Sequence, residues 1–255
     1  MGYNASVLSL GTAVYPSLGG ALAILGWYVP FALPILGLGV ALVVLFRLDT
    51  VEVGGTSGLR QYLRDALAGM RNRKIVGLFM VSMLTFIVLY GAYSTFIPLL
   101  LADRFESTAL AIGLIMTVGS LTTAVTASRL GALGRRFKGE SLIISAFALY
   151  AISFLIIPWL PGHWWVALPV ALFGIAQGLN YPVVMTLLAG LAPTEQRAIF
   201  MSVNGMVLRT GQTLGPIIMA GVFAWGGMEW VFYTAAGICL GVFVVLPWMI
   251  RRRPS

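Results

Sequence analysis

The chain has 255 residues, of which 59% are hydrophobic and 9% charged, with a net charge of +8 and a mean hydropathy of +0.95. An ordinary soluble domain carries about 25% charged residues, so a soluble fold is excluded and a polytopic membrane protein remains. The apolar runs are continuous rather than alternating, which excludes a lipid-facing barrel and leaves an all-α membrane helix bundle.

A membrane-crossing helix needs about 20 apolar residues. By that measure eight spans are predicted, at 1–24, 28–48, 74–101, 108–130, 140–158, 163–190, 197–225 and 229–250. The first carries a track of Gly2, Gly11, Pro16, Gly19 and Gly20. Such residues weaken a soluble helix, but in lipid they let neighbouring helices approach closely. The helices it packs against are expected upstream of Met1.

The segment 49–73 is the one long polar stretch and divides the chain into two spans plus six. Leu59, Tyr62, Leu63, Ala66, Leu67 and Met70 form one apolar stripe within it, with Arg60, Arg64, Asp65 and Arg71 off the stripe. This predicts an amphipathic connector lying on the headgroups. The organisation is then 1–48, the connector 49–73, a six-helix unit 74–250 and a basic tail 251–255. With 49–73 inside, all but two of the sixteen basic residues fall on one side, leaving Arg104 outside and Arg209 within a span. Basic residues concentrate in cytoplasmic loops, so the tail is expected in the cytoplasm. The positive charge is therefore topology, and no nucleic-acid partner is implied.

Within the spans, Arg209 is the strongest candidate for function. It lies about 12 residues, or roughly 18 Å, into its helix, near the middle of a core about 30 Å thick. Burying it there costs at least about 2.5–3.5 kcal/mol, so it should face protein or water. Asn204 and Gln212 flank it on the same helix. Gln177 and Asn180 are neighbours on the sixth span, and Tyr90 and Tyr93 on the third. Asn4 sits in the first span. Uncharged hydrogen-bonding groups of this kind suit a cavity for an aromatic or amphipathic solute; they equally serve as bonds between helices, worth about 0.6 kcal/mol each. Trp27, Trp159, Trp164, Trp165 and Trp230 fall at span ends and read as an interfacial belt. The single cysteine, Cys239, reads as a small hydrophobe. All eight acids lie in loops or at span ends, so no proton relay is visible in the chain. No metal cluster, cofactor loop or nucleophile constellation appears, which argues against an enzyme.

At an offset of 200, Met1, Asn4, Val7, Leu8, Gly11 and Pro16 match Met201, Asn204, Val207, Leu208, Gly211 and Pro216. The first span is then equivalent to the seventh, as in parallel repeats of six helices. The first span also resembles the fifth-helix antiporter motif of the major facilitator superfamily, with Gly2, Gly11, Tyr15-Pro16 and Gly19-Gly20 at matching positions and Tyr15 in place of a glycine. Gly211, Gly215 and Pro216 resemble the weaker copy in that family's eleventh helix. Arg129-Leu130-Gly131 through Arg135-Arg136 resembles its basic loop between the eighth and ninth helices, with the usual acid missing.

The resemblance implies the last eight of twelve helices, with four expected before Met1. It also implies alternating-access transport of a small organic solute across the cell membrane, with drug–proton efflux as the expected activity. The alternative is a non-transporting eight-helix protein acting as scaffold or partner subunit.

Overall fold

A computed structural model describes residues 72–193 and 196–250, together with 14–15, 17–26, 28–35, 37–39 and 45. Gly2, Asn4, Gly11, Pro16, Trp27, the expected connector helix and the tail 251–255 lie outside the described residues. Every regular element among the described residues is helical. We label the main ones α1 (Arg73–Asp103), α2 (Ala109–Ser128), α3 (Leu130–Arg136), α4 (Gly139–Trp159), α5 (His163–Leu191), α6 (Arg197–Gly226) and α7 (Met228–Ile250).

Helices α1, α2, α4, α5 and α7 are long and apolar enough to cross a membrane. Their limits fall close to the predicted ones because the bilayer forces backbone groups to pair within each segment. Helix α6 has ample length, 30 residues, but is the least apolar, because Ser202, Asn204, Arg209 and Gln212 interrupt it. One expectation needs correction. The second predicted span begins not as an α-helix but as a 3-10 helix over Val29–Ile35. Pro30 and Pro34 supply no backbone N–H there, which breaks the α-helical ladder.

Helix α1 is continuous but changes pitch. Its middle, Leu89–Phe96, is a π-helix, and Thr95 Oγ1 donates to the Tyr90 carbonyl across the widened turn at 2.7 Å. Asn72 caps its start by accepting from the Lys74 N–H, and Thr108 caps α2 in the same way from Ala111. Gly227, at φ +81°, makes the sharp turn into α7, a conformation glycine adopts without strain.

Two seams of small residues set the packing. In the first, α2 lies against α5. A methyl group on Gly174 would meet the Gly119 carbonyl oxygen at 2.2 Å, and one on Gly178 would meet the Thr123 carbonyl oxygen at 2.6 Å. The Thr123 hydroxyl lies between the Gly119 and Gly174 carbonyls, at 2.8 and 3.0 Å. In the second seam, α6 lies against α1. Gly211 faces the Met83 carbonyl, and Gly215 faces the Ile87 carbonyl and Gly91. With lipid tails as apolar as leucine, close backbone approach replaces hydrophobic burial as the source of association.

Behind these seams α4 packs on α5 and α7. Phe147, Tyr150 and Phe154 are fully buried there, with Phe154 T-shaped on Phe173 and stacked near Phe232. Ser153 Oγ satisfies the Pro169 carbonyl at 2.7 Å, and Cys239 is buried within this core. At the end carrying Arg104, its guanidinium donates to the Pro158 carbonyl at 3.1 Å and so ties α1 to α4. Trp159, Trp164, Trp165 and Trp230 are exposed at helix ends, as a belt requires, and Trp225 joins them.

Part of the glycine track meets a neighbour inside the chain. Residues 17–23 are helical and run against α2. A methyl on Gly20 would meet the Ala109 carbonyl oxygen at 2.5 Å, and the Ser17 and Thr117 hydroxyls are 2.6 Å apart. Gly19 has open space around it and Tyr15 is exposed, so only one glycine of the pair is used in this contact.

Candidate substrate-facing site

The two seams leave the edges of α1, α5 and α6 to face outward together. Phe86 is the common element. Its ring lies 5.5 Å from that of Tyr90 and 6.1 Å from that of Tyr181, both tilted, and its Cβ borders Gly211 of α6. Tyr181 is partly exposed and Tyr90 half-buried. Tyr181 stands beside Asn180 in the sequence, whereas nothing in the sequence marks Phe86, since an aromatic in an apolar helix carries no periodic signal of its own.

On α6 the exposed stripe runs through Ser202, Met206, Arg209, Thr213 and Ile217. The threonine hydroxyls are spent on backbone: Thr210 Oγ1 donates to the Met206 carbonyl and Thr213 Oγ1 to the Arg209 carbonyl. Arg209 remains as the charged group of this stripe. Its Nη1 donates to Gln212 Oε1 at 2.7 Å, one helical turn on. That bond holds the guanidinium along the helix while leaving most of its donors free. The acids of the described helices, Asp103, Glu140 and Glu229, stand at helix ends, and Arg209 forms no ion pair with any of them. An uncompensated cation at this depth requires water or a polar partner rather than lipid.

The remaining predicted residues turn inward. Asn180 is 1% exposed and its Nδ2 donates to Thr85 Oγ1 at 2.8 Å, bonding α5 to α1. Asn204 is equally buried, with Nδ2 3.6 Å from Met185 Sδ. Gln177 accepts from the Tyr150 hydroxyl within the α4–α5 contact. Tyr93 is buried and stacked on Phe173, 4.0 Å between centroids. These four stand in helix seams, whereas Arg209, Gln212 and Tyr90 stand at the outward edge with Phe86 and Tyr181. The sequence spacing that grouped Asn204 with Gln212 did not separate the two faces, because helix α1 divides them.

Asn204 offers a direct measurement. Its Oδ1, like that of Asn180, is buried without a partner, but its one bond is to a weak sulfur acceptor whereas Asn180 holds a full hydrogen bond to Thr85. Asn204→Leu should therefore leave the melting temperature unchanged or raise it, whereas Asn180→Leu should lower it by stranding Thr85. Thermal denaturation in detergent reads both.

Among the described residues no group of three or more metal-ligating side chains occurs. A polytopic helix bundle with paired glycine seams is the architecture of a multi-pass membrane protein. The family model of the Major Facilitator Superfamily matches residues 1–161 and 78–255, and the chain belongs to that family of transporters. The multidrug resistance protein MdtG of Salmonella arizonae and that of Salmonella paratyphi B are each 28% identical over 182 residues, covering 70% of this chain and 45% of theirs. The chain thus spans less than half the length of these curated relatives. Its fold is like that of the nucleoside transporter NupG, with a TM-score of 0.71 at 18% identity over 92% of this chain and 65% of that one. The human organic anion transporter MFSD10 aligns with a TM-score of 0.65 at 21% identity, over 93% and 67%.

Proposed function

We propose that the chain acts in efflux of a small organic solute by alternating access, driven by proton antiport. The observation that carries this reading is Arg209. It is exposed on α6 without an acidic partner among the described residues, and is oriented by Gln212 on the helix that packs beside the Phe86–Tyr90–Tyr181 aromatic edge. A charge held in the core at such cost marks a substrate path or an ion pair formed during transport. The aromatic edge suits a planar or amphipathic solute. The match to MdtG, a multidrug resistance protein, and the motif through Gly19 and Gly20 support the outward direction. In this reading residues 1–48 belong to one helical unit and 74–250 to the other, with 49–73 between them and the C-terminus in the cytoplasm.

The test uses membrane vesicles containing the full chain, alone and within the longest natural reading frame. Accumulation of a panel of fluorescent cationic, neutral and anionic drugs is followed with the proton gradient intact and collapsed. Gradient-dependent movement of at least one compound is expected. Identical behaviour of vesicles with and without the protein across the panel would overturn the transport reading and leave the scaffold role.

A further inference from the structure

We propose that the cleft between α2, α3 and α5 is a binding site for one anionic phospholipid, held at the cytoplasmic face. The cleft has a volume of about 820 Å³ and is open on one side. Its walls divide by chemistry. Leu121, Val125, Leu133 and Ile175 form an apolar slot, and Arg129, Arg135 and Arg136 stand at one end of it. Leu121 and Val125 are about half exposed, so the slot opens along the outer surface of a membrane-crossing helix.

The arginines are placed by local structure. Arg129 ends α2 and at the same time begins α3, and Arg135 and Arg136 occupy the last turn of α3. Basic side chains are favoured at a helix C-terminus, and because α3 is only two turns long all three arginines line the same cleft. None of them bonds to an acid or to any other described side chain, and no acid lines the cleft. The flanking Lys138 and the exposed Phe137 extend this region as a basic and aromatic rim, the pattern of a headgroup-level surface.

An acyl chain and a phosphate satisfy both walls at once. A free inorganic anion would leave the apolar slot unfilled, and a neutral lipid would leave three charges unmatched. Each basic residue near an anionic membrane surface contributes about fivefold in binding. The proposal does not depend on the transport reading.

The experiment reconstitutes the full chain in nanodiscs of phosphatidylcholine with and without phosphatidylglycerol and measures the lipid retained after extraction by native mass spectrometry. Phosphatidylglycerol should be enriched, and the combined Arg129→Gln, Arg135→Gln and Arg136→Gln variant should lose the enrichment by roughly a hundredfold. Lys138→Gln, outside the cleft, should change it by no more than about fivefold. A photoactivatable phosphatidylglycerol on the unaltered chain should label peptides within 121–136, which keeps the test independent of whether the variant folds. Equal retention of both lipids, labelling spread evenly over the helices, or full displacement by glycerol phosphate would each overturn the site.

Discussion

Arg209→Ala is expected to lower transport by about ten- to a hundredfold while the protein still reaches the membrane in normal amount. A hydrogen bond to a charged group is worth about 1.5–3 kcal/mol, and 1.4 kcal/mol is a factor of ten. Arg209 is exposed on α6 and its side chain bonds only to Gln212 of its own helix, so its removal breaks no contact between helices. Arg209→Lys should keep an intermediate activity, because the charge remains while the planar donor fork is lost. Gln212→Leu should act in the same direction but more weakly, by releasing the guanidinium from its fixed orientation. Uptake into inverted vesicles, normalised to protein quantified by immunoblot, separates these effects. If activity is unchanged in Arg209→Ala, or if abundance falls in step with activity, Arg209 is a structural residue.

The second large effect is on assembly. Gly174→Val is expected to abolish stable insertion, and Gly174→Ala to cost about 1–3 kcal/mol or more. A methyl group there would stand 2.1 Å from Thr122 Oγ1 and 2.2 Å from the Gly119 carbonyl oxygen. The threonine can rotate, but the carbonyl belongs to the α2 backbone, so the two helices must part. Parting them also breaks the bond from Thr123 to Gly174. Gly190, on the same helix, has open space around it. Gly190→Ala should therefore be neutral or stabilising, by up to about 1 kcal/mol from helix propensity alone. Fluorescence-detected size exclusion with a melting series compares the two sites. Equal melting temperatures for both alanine variants would mean that the α2–α5 seam is not tightly closed.

The helices were legible in the sequence because a bilayer leaves few choices: a long apolar run must pair its own backbone groups. The glycine track on residues 19 and 20 was legible as a packing surface for the same reason, but not its partner, since Ala109 and Thr117 carry no mark of what lies against them. The polar residues were recognised as special, yet their directions were not. Asn180 and Arg209 look alike as interruptions of an apolar helix. Only the position of α1 makes one a bridge to Thr85 and leaves the other at an open edge. The π-helical turn over Leu89–Phe96 was invisible, because it adds no unusual residue and merely changes which carbonyl each N–H reaches. The arginines at the end of α2 mark topology in the sequence, and that they line one cleft depends on the short helix α3, which no spacing of charges reveals.

The seam between α1 and α6 has a mechanical meaning. Gly91, Gly211 and Gly215 bring backbone against backbone, with the side chains of Met219 and Phe86 closing the edges of the contact. Two surfaces joined in this way have no bearing on which to slide, since any slip drives carbonyl oxygen against backbone. The contact therefore locks α6 in register with the π-helical stretch of α1, so that the pair behaves as a single strut.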